Sequence, residues 1–185
     1  MKSRAKIPGL CALLTLASLA RCGSETPMAP SAPAIPPLQQ ATFSYVRETE
    51  LNVYLVAIGR TVPDFQLVVA EQTVLFGDWT EKKTNTYWTR VYANNLVLRI
   101  RAYTRGVATV HPSNPELEGL HDGFVDGLGI LESAISDFSD ALDPLDGELI
   151  DQANEKIGRF NIAMDLYMGR LSSLAGQPIQ LFPIQ

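Results

Sequence analysis

Cysteine is nearly missing from this chain: there are two among 185 residues, Cys11 and Cys22, both near the N-terminus. Everything after Cys22 is therefore without a disulfide and without a cysteine-based metal or redox centre. Basic side chains are also few, 15 against 20 acidic ones, and four of them, Lys2, Arg4, Lys6 and Arg21, fall in the first 21 residues. That leaves 11 bases against 20 acids, a formal charge of about −9 on the rest. That balance argues against a nucleic-acid partner, and none is expected, because neutralising phosphates needs a basic face. Histidine occurs only at His111 and His121. With no Gly-x-Ser-x-Gly and no glycine-rich phosphate loop, nucleophilic catalysis lacks its usual parts; no catalytic residue, enzymatic activity or cofactor is expected. The N-terminal apolar run, Leu10 to Ala20, would rise only about 16 Å as a helix, roughly half a hydrocarbon thickness.

What is present begins with an address. Three positive charges, that short apolar run and small residues at Ser18 and Ala20 read as an export signal over residues 1–21 rather than a membrane span. Two processing routes fit. Cleavage after Ala20 would leave a soluble, secreted chain beginning at Arg21. Alternatively, "LARC" resembles a bacterial lipobox, with Leu19 and Ala20 in place, Cys22 as the lipidated residue, and Arg21 departing from the small residue the pattern wants. Lipidation is favoured, because Cys22 heads "CGSETPMAPSAPAIPP", a proline-spaced stretch to residue 40 that reads as a tether. In extended polyproline form its 18 residues from Gly23 to Gln40 reach roughly 50 Å. The expected location is extracytoplasmic, with a membrane as partner through the anchor and an envelope protein as a possible second.

The body of the chain, residues 41–176, shows helical periodicity four times over, with 177–185 left as a C-terminal tail. From 146 to 175, Ile150, Ala153, Ile157, Phe160, Met164, Tyr167, Leu171 and Leu174 alternate steps of three and four. Leu117, Leu120, Phe124, Leu128, Leu131, Ile135, Phe138 and Leu142 likewise follow steps of three or four across 115–142. Asn114–Pro115 and Asp143–Pro144 supply start signals for these two helices. Residues 86–104 admit a hairpin turning at Asn94–Asn95. The series Ala93, Leu96, Ile100, Tyr103, Val107 and Val110 favours a helix instead. A first pattern through Leu51, Leu55, Ile58, Val62, Phe65, Val69 and Phe76 is interrupted at Pro63, which predicts a kink. Residues 77–85 read as a loop. The expected fold is all-α, an antiparallel up-down four-helix bundle with a kinked first helix. Arg99, Arg101 and Arg105 are expected near Glu116, Glu118, Asp122 and Asp126.

The stretch "YWTRVYANNLVLRIRAYTRGVATVHPSNPELEGLHDGF", with "ALDPLDGELIDQANEKI" after it, resembles a broad group of uncharacterised bacterial exported lipoproteins and secreted proteins with a helical-bundle domain. The resemblance implies architecture and location, and assigns no catalytic residues.

Three groups of side chains are candidate sites. Glu118 and His121 have the Glu-x-x-His spacing of helical di-iron sites, and with Asp122 they form a candidate metal site. The helix expected over 146–175 holds no histidine to supply a second such motif, so a partly exposed His121 beside acidic neighbours is the simpler expectation. Gly119, Gly123 and Gly127 recur every four residues. They predict close approach of a helix carrying Trp88, Tyr87 or Tyr92, or a groove for a ligand or partner that includes Trp88. Cys22 is the lipidation site. Together these readings predict a non-enzymatic, lipid-anchored interaction, scaffold or envelope-associated bundle, with a small-ligand or metal-binding bundle as the alternative.

Overall fold

The computed structural model describes residues 46–182. The signal segment, the tether and Cys22 lie outside them. Within this range the chain is all-helical: α1 (Glu48–Gly59), α2 (Val62–Thr80), α3 (Thr86–Val107), α4 (Pro115–Asp140) and α5 (Gly147–Ala175). Residues 86–104 are thus helix and not hairpin, since the three-and-four series buries Ala93, Leu96, Ile100, Tyr103 and Val107 on one face. α1 and α2 are separated by Arg60 and Thr61 and meet at 47°. Pro63 sits in the first turn of α2, where its missing N–H breaks no helical bond. α2 also runs four residues into the stretch expected as loop, carrying the half-buried Trp79 onto Phe138 at 5.9 Å between ring centroids.

Local chemistry explains the helix starts. The Asn85 side chain accepts from the Trp88 N–H, and Asn114 from Glu116, ahead of Pro115. At α5 the cap is Asp146, which accepts from both Glu148 and Leu149. The Asp143–Pro144 pair does not start this helix: the chain turns there, with Leu142 bridged to Leu145, and the Asp143 carboxylate bonds Arg90 at 2.9 Å.

α4 is the centre of the packing, lying against α5 and α3, while α2 packs on α3 and α1 reaches α5. The cross-contacts between α3 and α4 keep one antiparallel register. Arg90 meets Asp143, Asn94 meets Ser139, and Arg101 meets Glu132. The same register sets Val107, the end of α3, level with Asp126. The first eleven residues of α4, about 16 Å of helix, therefore project beyond α3. This offset overturns the expected pairing of Arg99, Arg101 and Arg105 with the acids at the start of α4. Arg99 bonds Glu71 on α2 instead, Arg101 bonds Glu132, and Arg105 turns back to the Arg101 carbonyl.

α1 fills the space the offset creates. Glu50 accepts from its own helix start at Arg47 and from Asn114 at the head of α4. The bend at Arg60–Thr61 is held by Thr61, which bonds the Ile58 carbonyl and the Tyr103 hydroxyl. The tail closes the core: Phe182 is buried against Phe65 at 4.5 Å and Phe124 at 5.7 Å, and Ser172 accepts from the Ile179 N–H.

Candidate functional site

Where α1 crosses the projecting end of α4, three polar side chains meet inside the core. The Tyr54 hydroxyl stands 2.9 Å from that of Tyr167 on α5 and 3.3 Å from Nδ1 of His121 on α4. A phenol has one proton, so Tyr54 donates to one neighbour and accepts from the other. All three residues are buried, with His121 only 4 % exposed. Tyr54 meets the imidazole edge-on at 5.8 Å, and Phe124 stacks on Tyr167 at 4.6 Å.

Burial sets the protonation of this cluster. It raises Tyr54 to about 12, with the Tyr167 hydrogen bond pulling slightly the other way. Tyr167 is pushed up too, chiefly by burial and then by Tyr54. His121 is shifted down, because desolvation of the imidazolium outweighs the attraction of Asp122 and the nearby Val107 main chain. Nothing meets its Nε2 in hydrogen-bonding geometry. Two neutral phenols and a neutral imidazole thus tie α1, α4 and α5 together.

That arrangement alters the expectations for the residues singled out in the sequence. His121 is not partly exposed. It occupies the seam itself, since Leu117, His121, Phe124 and Leu128 share one face, while Glu118 and Asp122 are exposed on another. The three candidate metal ligands are therefore not brought together, and no group of three His, Cys, Asp or Glu that could hold a metal ion exists among the described residues.

The glycines divide similarly. A Cβ on Gly127 would meet that of Ala163 at 3.4 Å and Phe160 at 4.0 Å, which marks the close approach of α5. Gly119 and Gly123 have no such neighbour within 4 Å. Tyr87, Trp88 and Tyr92 do not cover them: all three are exposed at the start of α3, level with the far end of α4. Trp88 and the glycines do not line one groove. Gly119 instead edges a shallow depression of about 370 Å³ between the head of α4 and Arg170, Ser173 and Leu174 of α5. A second, of about 440 Å³, lies between Tyr87, Arg90 and Asn94 of α3 and Leu142–Asp143.

Nothing local in the sequence joins Tyr54, His121 and Tyr167, although position 121 continues the apolar stripe of α4. Among the described residues no single helix is long and apolar enough to cross a membrane; α1 and α2 pass that test only as a bent pair. No protein-family model, no curated protein and no solved structure matches the chain.

Proposed function

We propose that this protein is a non-enzymatic, extracytoplasmic bundle of the exported-lipoprotein kind, lipidated at Cys22, that works as an interaction or scaffold module at a bacterial envelope. In this reading α1 and α2 form one kinked arm of an antiparallel up-down four-helix bundle. The observation that carries the functional part is the disposition of apolar side chains. Of the eleven large ones exposed among the described residues, eight lie on α1, α2 and α3, outside any enclosed pocket. Such a display suits contact with another surface better than capture of a small substrate. The buried polar residues support the same conclusion, because the Tyr54 and Tyr167 hydroxyls and Nδ1 of His121 are occupied with one another and leave only Nε2 unpartnered.

Intact mass and membrane partitioning of the full chain in a bacterial host, beside Cys22→Ser, test this reading. A diacylglyceryl mass and membrane sedimentation that the variant loses support it. A soluble chain beginning at Arg21 without lipid refutes the anchor and leaves a secreted bundle. The small-ligand alternative has one observation in its favour, the depression beside Gly119, where Arg170 faces the head of α4. Saturable stabilisation by a small anion that Arg170→Gln abolishes would establish it.

A further inference from the structure

α2 carries two apolar stripes. One is buried through Phe65, Val68 and Leu75. On the opposite side Pro63, Leu67, Ala70 and Val74, spaced by four, three and four, are all exposed, with Leu67 at 51 % and Val74 at 61 %. A helix apolar on both sides, with only one covered by protein, has a face left for another apolar phase. The ion pair between Glu71 and Arg99, 2.8 Å apart, joins this helix edge to α3. Arg99 shares its stripe of α3 with Tyr92 and Trp88, seven and eleven residues earlier, and both are more than half exposed. Leu67 and Val74 flank Glu71 at one turn on either side. The α2–α3 seam is thus edged by two aliphatic side chains on one helix and two amphipathic aromatic ones on the other.

Charge distinguishes this side of the molecule from the other. Residues 46–110 hold eight basic and six acidic side chains, whereas 111–182 hold three and thirteen. The bases of the first half are not on α2, which holds Asp64, Glu71 and Asp78 and no base, but on residues 81–110, six against the single acid Glu81. An anionic surface therefore repels the α4–α5 half and is drawn to the α3 edge of the seam. α4, moreover, contributes no large exposed apolar side chain.

We propose that the outward face of α2 and the adjoining edge of α3, centred on Leu67, Val74, Tyr92 and Trp88, lie against a lipid bilayer surface, with α4 and α5 turned away. The compartment in which this happens rests on the tethered reading above; the chemistry of the contact rests on the face alone. Trp88 and Tyr92 sit at headgroup level, where a ring with one polar end is favoured, and Leu67 and Val74 meet the acyl boundary.

The test uses the full chain carrying Trp79→Phe, which leaves Trp88 as its only tryptophan. It is mixed with vesicles of phosphatidylethanolamine and phosphatidylglycerol bearing brominated acyl chains. Trp88 emission is expected to shift to the blue and to be quenched at least about twofold. The exposed substitutions Leu67→Glu and Val74→Glu together should abolish the quenching while leaving helical circular dichroism intact. A chain whose Trp88 stays unquenched overturns the contact, whether or not its N terminus holds it on the vesicle. A chain found by mass to lack lipid, yet quenched, refutes the anchor and keeps the contact. A soluble dimer that the double substitution dissociates also overturns the proposal, because the face then belongs to a second copy.

Discussion

The hydroxyl oxygens of Tyr54 and Tyr167, separated by 113 positions in sequence, stand 2.9 Å apart in the core. Tyr54 also meets His121, so its removal strands two buried polar atoms, whereas removal of the Tyr167 hydroxyl strands none besides its partner's second bond. Tyr167→Phe should cost about 1 kcal/mol and Tyr54→Phe about 2 to 4 kcal/mol. Urea unfolding of both single variants and the double, as a cycle, measures the coupling; additive costs would show that the hydroxyls do not interact.

Stability should fall in mild acid through His121. The unfolded imidazole titrates near 6.5, and burial places the folded one lower. Between those values the unfolded chain holds the proton more tightly. The contribution is therefore complete above about pH 6.5 and is lost progressively as pH drops toward the folded value. Comparing urea midpoints near pH 8 and near pH 5.5 for wild type and His121→Leu checks this. The variant should lose part of the pH slope, and a slope unchanged by it would assign the effect to other groups.

At the glycines of α4, size of the replacement should decide the sign. Gly123→Ala meets no atom within 4 Å and should raise stability by about 0.5 to 1 kcal/mol through helix propensity. Gly127→Leu must displace Ala163 or Phe160 of α5 and should cost about 1 to 3 kcal/mol. Thermal melts of the two variants should move in opposite directions.

At the head of α5, Asp146→Ala removes the acceptor for the Glu148 and Leu149 N–H groups and should cost about 1 kcal/mol. Asp146→Asn keeps an acceptor in place and should recover most of the loss. Asp143→Ala, which removes only an exposed ion pair with Arg90, should change the melting temperature little.

The helices were legible wherever the deciding interaction is local. Every residue of the α3 stripe from Ala93 to Val107 that spacing marked as apolar is buried, because periodicity alone decides which side of a helix faces the core. The cap at Asn114 was equally plain, since its partner lies two residues on. Long-range geometry was not. Nothing in the sequence sets Arg101 opposite Glu132 rather than Glu118. That register depends on how far residues 108–114 carry the chain past the end of α3. Phe182 could not be assigned to the core for a similar reason: a single aromatic after a helix end has no period to reveal its direction. His121 reads as partly exposed from its charged neighbours Glu118 and Asp122, although its position on the stripe of Leu117, Phe124 and Leu128 buries it.

The uneven lean of the helices on one another also ranks their resistance to opening. α4 is held on two long sides, by α3 and α5, while α2 rests on α3 and α1 touches α5 over a short span. Amide hydrogens of α1 and α2 are the ones a partial, sub-global opening releases first, with α4 exchanging only when the whole domain lets go. The only side-chain hydrogen bonds reaching from α1 to the head of α4 are those of Tyr54 and Glu50 among the described residues. Loosening that pair together with the Tyr54–Tyr167 bond would free α1 alone, while α2 stayed on α3 through Glu71–Arg99 and α3, α4 and α5 kept their mutual packing.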